Sequence, residues 1–248
     1  MARVILITGG SRGIGAATAV TAAARGYDVA FCYRRDRRSA EAVAREIRSY
    51  GVRALPIAAD VGSEADVMAM FQAVDREFDG IDALVNNAGI LEQQARLESM
   101  DAARIQRVLA VNVTGTMICA REAVLRMSTR HGGSGGSIVN VSSVAARLGA
   151  PGEYIDYAAS KGAVDAMTVG LAKEVADEGI RVNGVRPGII YTDIHATGGE
   201  AGRVDRLKGT VPMKRGGAAQ EVAYAILWLL SDEASYVSGT FVDVAGGR

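Results

Sequence analysis

The chain has 248 residues, 49% hydrophobic and 23% charged, enough apolar side chain for a sizeable core and too much for a disordered polymer. Basic and acidic residues number 28 each, so the formal net charge is zero and no global field draws nucleic acid or an anionic membrane. Neither partner is expected, and no apolar run nears the ~20 residues of a bilayer span.

The first apolar run, Arg3 to Ile7, reads as a strand, with no basic leader or cleavage site before it. It enters Thr8-Gly9-Gly10-Ser11-Arg12-Gly13-Ile14-Gly15, and a helix is expected from near Ile14. Glycines here let the backbone approach a pyrophosphate, held by the free N–H groups and positive dipole of the helix N-terminus. The spacing Gly-x-x-x-Gly-x-Gly departs from the common Gly-x-Gly-x-x-Gly fingerprint. Ala16 and Ala17 stand where a nucleotide-hydrolysing P-loop needs Lys and Ser or Thr. A tight turn without ligand is the alternative for this motif alone.

A second strand, Asp28 to Cys32, ends in Tyr33-Arg34-Arg35-Asp36. An acidic side chain at this strand end bonds the ribose 2′-hydroxyl of NAD, whereas a basic one accommodates the 2′-phosphate of NADP. Tyr33 occupies the acidic place and Arg34 follows, with Arg12 as a second guanidinium, so NADP(H) is favoured over NAD(H). The alternatives are that Arg34, Arg35, Arg37 and Arg38 are a solvated helix start, and that Asp36 reaches the ribose. Ala40 to Ser49 reads as an amphipathic helix with Ala42, Val43 and Ile47 toward the sheet.

Further strands are read at Arg53 to Ala58, Ala83 to Val85, Ser137 to Val141, Arg181 to Val185 and Thr240 to Val244, with helical stretches between. The alternation predicts an α/β fold, Rossmann-type and doubly wound, about seven parallel strands with helices on both faces, in one domain spanning 1–248. Gly132 to Gly136 reads as a flexible helix-to-strand loop, Gly188 to Gly217 as a lid following a strand end, and Gln220 to Leu230 as a helix. Cys32 and Cys119 form no pair and read as buried thiols of a reducing, cytoplasmic compartment. His131 and His195 lack partners at metal-ligand spacing.

Tyr157 and Lys161 lie four apart, on one face of a helix. An ammonium there lowers a phenol pKa from its usual ~10 and makes Tyr157 a usable proton donor or acceptor. Such pairs also occur on solvated helix faces, so the spacing alone leaves both readings open.

Taken in order, these motifs resemble the short-chain dehydrogenase/reductase family over the whole chain. Thr8 to Gly15 is similar to its cofactor loop, Asp60-Val61 to the pair at adenine, and Asn86-Asn87-Ala88-Gly89 to the segment after the fourth strand. Asn112, Ser143, Tyr157 and Lys161 resemble its catalytic tetrad, and Pro187-Gly188-Ile189-Ile190-Tyr191-Thr192 the segment over nicotinamide. The resemblance implies that Tyr157 gives a proton to a substrate carbonyl while NADPH gives hydride, and that Ser143 holds the carbonyl oxygen. Lys161 would lower the phenol pKa and bond the nicotinamide ribose, Asn112 would steady a water leading to solvent, and Thr192 would bond the carboxamide.

The family's serine usually stands thirteen residues before its tyrosine, whereas Ser143 stands fourteen before Tyr157. One extra residue is therefore expected in 147–156, with Ser142 as the fallback serine. The run Arg147 to Tyr154 is similar to glucose dehydrogenase-like sequences, so a small sugar- or polyol-like carbonyl or alcohol substrate is favoured. The enzymatic alternative is a 3-oxoacyl-thioester reductase, with Arg203, Arg206 and Lys208 meeting an acidic carrier. The alternative of another class is a nucleotide-binding regulator without turnover. The family also implies a homo-oligomer, commonly a tetramer, through the Tyr157 helix, where Ala158, Ala159, Ala163, Ala166 and Gly170 let helices approach.

Overall fold

All seven expected runs form strands, and the central ones, such as Val4–Ile7 and Ala83–Asn86, are buried along their whole length because both of their faces are covered. The computed structural model describes residues 2–248. One parallel sheet contains β1 (Val4–Ile7), β2 (Asp28–Tyr33), β3 (Ala54–Ala58), β4 (Ala83–Asn86), β5 (Gly136–Val141), β6 (Ile180–Pro187) and β9 (Phe241–Val244). Its order is β3-β2-β1-β4-β5-β6-β9. A second, two-stranded parallel pair joins β7 (Ile190–Tyr191) to β8 (Gly217–Ala218).

The period-two alternation of strands divides the core into two layers. Ile5, Ile7, Val29 and Phe31 pack under α1 (Gly13–Ala24), α2 (Arg37–Ser49) and α10 (Ala219–Leu230). Val4, Leu6, Ala30 and Cys32 point the other way, toward α3 (Glu64–Phe78), α5 (Thr116–Met127) and α7 (Ile155–Glu174). The order reverses between β1 and β4, and their carboxyl ends therefore open a crevice between diverging loops.

Two local expectations are corrected. In α2 the buried positions are Ala40, Ala44 and Ile47, spaced by four and three, while Ala42 falls on the opposite side and is exposed. In the loop at 132–136, expected to be flexible, Gly133, Gly135 and Gly136 are closely packed, whereas Gly132 meets open space. Gly135 donates its N–H to the Met127 carbonyl at 2.7 Å, and a Cβ on Gly133 would stand 2.4 Å from the Arg126 and Met127 carbonyl oxygens.

A continuous helix runs over 102–127 through α4 (Ala102–Leu109), a π-helical turn (Ala110–Gly115) and α5. It is long and apolar enough to cross a membrane, with a mean hydropathy of 1.4 over 18 residues. Here it lies on the sheet: Val108, Cys119 and Ala123 are buried, and Arg121 and Arg126 pair with Glu64 and Asp75 of α3 at 2.8 and 2.7 Å.

The segment between α6 (Ala145–Leu148) and α7 absorbs its length in left-handed backbone, with φ of +75° at Gly149, +46° at Ala150 and +72° at Gly152. Ala150 carries the cost, since a Cβ in that region is crowded by its own carbonyl. Relief of that crowding exceeds glycine's extra unfolded-state entropy, so Ala150→Gly is expected to stabilise by about 0.5–1 kcal/mol. Denaturant unfolding of the two proteins measures it; a lower midpoint for the variant would refute strain at this residue.

Candidate active site

The crevice begins at the glycine loop, where Gly9 takes φ of +67°. A Cβ on Gly15 would lie 2.3 Å from the Gly9 carbonyl oxygen, so this glycine lets α1 start directly against the loop. Asn87 braces the turn from β4. Its Nδ2 donates to the carbonyls of Thr8 and Gly9 at 2.8 and 3.1 Å, while the Thr8 hydroxyl accepts from the N–H groups of Asn87 and Ala88 at 3.0 Å. Arg12 is the N-cap residue of α1, and no side chain caps that helix, which leaves its first N–H groups free for an anion.

From this loop a cleft of about 630 Å³ extends across the carboxyl ends of the strands. Gly9, Ser11, Arg12, Gly13 and Ile14 line its near end, with Tyr33, Arg34, Asp60 and Val61 beside them. Asn87, Ala88 and Gly89 form the middle, and Ser143, Tyr157, Lys161, Pro187, Gly188, Ile190 and Thr192 the far end. Two of the expected residues stay outside this wall. Gly15 acts by its lack of a side chain behind Gly9. Asn112 is fully buried and engaged with protein: its Oδ1 accepts from the Ile90 N–H at 2.8 Å, and its Nδ2 donates to the Ile90 carbonyl and Ser160 hydroxyl at 3.1 Å.

At the ribose end Arg34 pairs with the Asp60 carboxylate at 2.8 Å. Asp36 is the N-cap of α2, accepting from the Ser39 N–H at 2.9 Å and the Ser39 hydroxyl at 2.6 Å. Those hydrogen bonds hold its carboxyl below the usual range, and they turn it to the helix rather than to a ribose. The cradle of free N–H groups and small residues fits the pyrophosphate of a nicotinamide dinucleotide.

At the other end α7 presents Tyr157 and Lys161 on one face. Lys161 donates from Nζ to the Val141 carbonyl at 2.8 Å, and Nζ lies 5.6 Å from the centre of the Tyr157 ring. Ser143, the serine that counting from the strand selects, lines the cleft with Tyr157, acts on its phenol, and accepts from the Ala145 N–H at 3.1 Å. Ser142 is spent elsewhere: it is buried and donates to the Lys161 carbonyl at 3.2 Å. The expected lowering of the phenol pKa does not hold in this geometry. Burial raises it, and the Ser143 hydrogen bond only partly opposes this. Burial likewise pushes the Lys161 ammonium down to about 8, against the nearby Asp165 carboxylate. Both groups lean toward their neutral forms, so the phenol keeps its proton.

The lid over this end carries β7, α8 (Ile194–Thr197), α9 (Arg203–Leu207) and β8. Arg203 and Arg206 turn inward to Glu153 and Glu200, Arg203 stacks over the Tyr154 ring at 5.0 Å, and the Tyr154 hydroxyl donates to the Gly198 carbonyl at 3.1 Å. Lys208 pairs with Asp205 at 2.8 Å. Through Glu153 and Tyr154, Arg203 and Arg206 tie the lid to 150–156, whereas Lys208 is paired within the lid, roles that sequence alone did not separate from a docking patch. The substrate end is walled by Leu91, Leu148, Tyr154 and Ile194, with His195 and Arg248 among them. Sequence reasoning named none of the six as a cleft residue, although Leu148 and Tyr154 fall in the run that suggested the substrate class and Ile194 and His195 in the expected lid.

A family model described as enoyl-(acyl carrier protein) reductase matches residues 9–248. An Escherichia coli K12 protein named uncharacterized oxidoreductase YgfF is 59% identical over 99% of both chains. The chain belongs to the short-chain dehydrogenase/reductase family. It is an NAD(P)-dependent oxidoreductase of CH–OH and C=O groups. Two solved members share the fold closely. A 3-ketoacyl-(acyl-carrier-protein) reductase from Brucella melitensis complexed with NADH has a TM-score of 0.91, with 34% identity and 99% and 98% of the two chains covered. A short chain dehydrogenase from Burkholderia cenocepacia J2315 in complex with NADP has 0.90, with 35% identity and coverage of 99% and 97%.

The depressed Lys161 pKa links stability to pH. From about 8 up to the ordinary 10.5 the unfolded chain holds a proton at this lysine that the folded chain has lost, so the contribution to stability rises with pH across that window. Chemical unfolding of wild type and Lys161→Met at pH 7.5 to 10.5 measures it. The wild-type stability should climb relative to the variant, and parallel curves would contradict the assignment.

Proposed function

We propose that the enzyme is an NADP(H)-dependent carbonyl reductase, or alcohol dehydrogenase in reverse, acting on small sugar- or polyol-like substrates. The observation that carries the reading is the half-buried Tyr157 phenol, with Ser143 and Lys161 beside it, in the same cleft as the uncapped start of α1. Bound in that cleft, the reduced nicotinamide supplies the hydride. Tyr157 gives its proton to the carbonyl oxygen as negative charge develops there, and Ser143 holds that oxygen by a hydrogen bond. Lys161, with a pKa of about 8, sits close enough in proton affinity to working pH to reprotonate the phenolate, and it bonds the nicotinamide ribose. Asn112 positions rather than reacts. Its side chain clamps Ile90 and Ser160, and its Oδ1 lies behind Gly89 near Lys161 Nζ, where a Cβ on Gly89 would meet the two atoms at 3.4 and 3.5 Å; a water leading to solvent would be steadied there.

The preference for NADP(H) rests on the capped Asp36 and on Arg12 and Arg34 lining the ribose end. Thr192 lines the cleft where the carboxamide would lie, and residues 188–217 act as the lid of one domain. A 3-oxoacyl-thioester reductase is the second reading, supported by the name of the Brucella neighbour. A homotetramer is supported by the exposed Ala159, Ala166 and Gly170 of α7 beside exposed Leu109, Met117 and Leu125. Cytoplasmic residence is in keeping with Cys32 and Cys119, both buried and unpaired.

Tyr157→Phe should bind NADPH as wild type does and lose at least ~100-fold in turnover, the scale of a positioned general acid. Titration of NADPH fluorescence and steady-state reduction give the two numbers; retained turnover would remove the mechanism. Arg34→Ala should weaken NADPH by about tenfold, the weight of one charge-assisted hydrogen bond, and leave NADH within about twofold. Equal losses for both cofactors would contradict the assignment of the phosphate site.

A further inference from the structure

Four buried side-chain polar atoms have no hydrogen-bond partner among the described residues, and two of them belong to residues of the catalytic cleft: His195 Nδ1 and Arg248 Nη1. His195 is 9% exposed and sits on α8 of the lid. Its Nε2 lies 2.9 Å from the Ile190 carbonyl oxygen, which can only accept, so the ring proton is on Nε2 and Nδ1 carries a lone pair. Burial lowers the imidazole pKa, with the Ile190 carbonyl opposing, in keeping with a neutral ring. The charged groups facing it are Arg203 and Glu200, which act in opposite directions and are themselves paired.

A buried acceptor without a donor is an unfavourable arrangement, and a ligand O–H removes the penalty. Arg248 offers the opposite polarity, a guanidinium with no ion pair among the described residues. An acceptor and a donor in a cleft whose lining also includes the apolar Leu91, Leu148 and Ile194 complement a compound that carries hydroxyls, since each hydroxyl both gives and takes a hydrogen bond.

We propose that His195 is a specificity-determining residue: its Nδ1 accepts a hydrogen bond from a substrate hydroxyl near the reacting carbonyl, while Arg248 donates to a second substrate oxygen. The enzyme thereby selects hydroxylated carbonyl compounds over their deoxy analogues. This inference rests on the polyol-like reading above and deepens it. A site built around a substrate hydroxyl rejects the analogue lacking it because the site's own polar atom is then left unpaired.

The test is kcat/KM for NADPH-dependent reduction of matched pairs, hydroxyacetone against acetone and 1-hydroxy-2-butanone against 2-butanone, by wild type, His195→Phe and His195→Gln. Wild type should favour the hydroxylated member at least ~10-fold. His195→Phe should bring the ratio to about one through KM for the hydroxylated ketone, with the deoxy ketone changed less than about threefold, a control that also reports an intact fold. His195→Gln, whose amide can donate to Ile190 and still present an oxygen, should restore part of the preference. An unchanged ratio in His195→Phe, or equal losses on both members, would overturn the role of His195 and leave the substrate class standing. A wild type that prefers the deoxy ketones, or reduces neither member, would overturn the substrate class and the inference with it.

Discussion

Lys161 Nζ on the Val141 carbonyl is the bond from which the catalytic geometry is built. A lysine head buried at the end of a central strand needs an acceptor, and the last carbonyl of β5 supplies it. The returning bond from the Ser142 hydroxyl to the Lys161 carbonyl ties the same two elements a second time. Together they set the axial position of α7 against β5, and Tyr157, one helical turn earlier, then falls beside Ser143. The chemistry proposed for the site follows from that register. A slip of one residue along α7 would rotate the phenol by about 100° away from the serine.

The same economy governs the cofactor end. Asn87 and Thr8 hold the carbonyls and N–H groups of the glycine turn in a fixed arrangement before any ligand arrives, and Gly15 lets the helix begin hard against that turn. Because the donors are preorganised, little ordering accompanies binding of a pyrophosphate. The two ends are joined through the sheet: Asn87 follows β4, Ser143 follows β5, and the two strands pair from Ala83 with Ser137 to Asn86 with Asn140. Distance between the anion cradle and the phenol is thus set by strand spacing rather than by loop conformation.

What could be read in advance follows this division. The central strands, buried on both faces, announce themselves as apolar runs; the less buried edge strands were legible by their place in the alternation, and the strand order fits the right-handed connections they require. The motif residues were legible because small or polar side chains at fixed offsets have few other uses. Ala42 was misplaced because alanine gives a weak periodic signal, which Ala40 and Ala44 outweigh only once the helix phase is known. The direction of the Tyr157 pKa was misread for a different reason. A sequence shows that a cation is four residues away, but not that both groups lose water and that the cation is already engaged. Charge pairing and burial act in opposite directions, and only depth decides between them.

The lid shows the remaining limit. Its arginines carry the same charge whether they face solvent or fold inward, and nothing in their spacing names Glu153, fifty residues away, as the partner of Arg203. With Glu200 and Gln94 they close a polar rim around an apolar interior, at 2.7 Å between Gln94 and Glu200. The rim borders the substrate end, and a polar atom buried beneath it, such as His195 Nδ1, is weighted more heavily than it would be in solvent. Within that enclosure a single imidazole nitrogen without a donor is a strong constraint on what can enter, which is why the lid, rather than the catalytic residues, is where members of one fold family with the same chemistry come to differ in substrate.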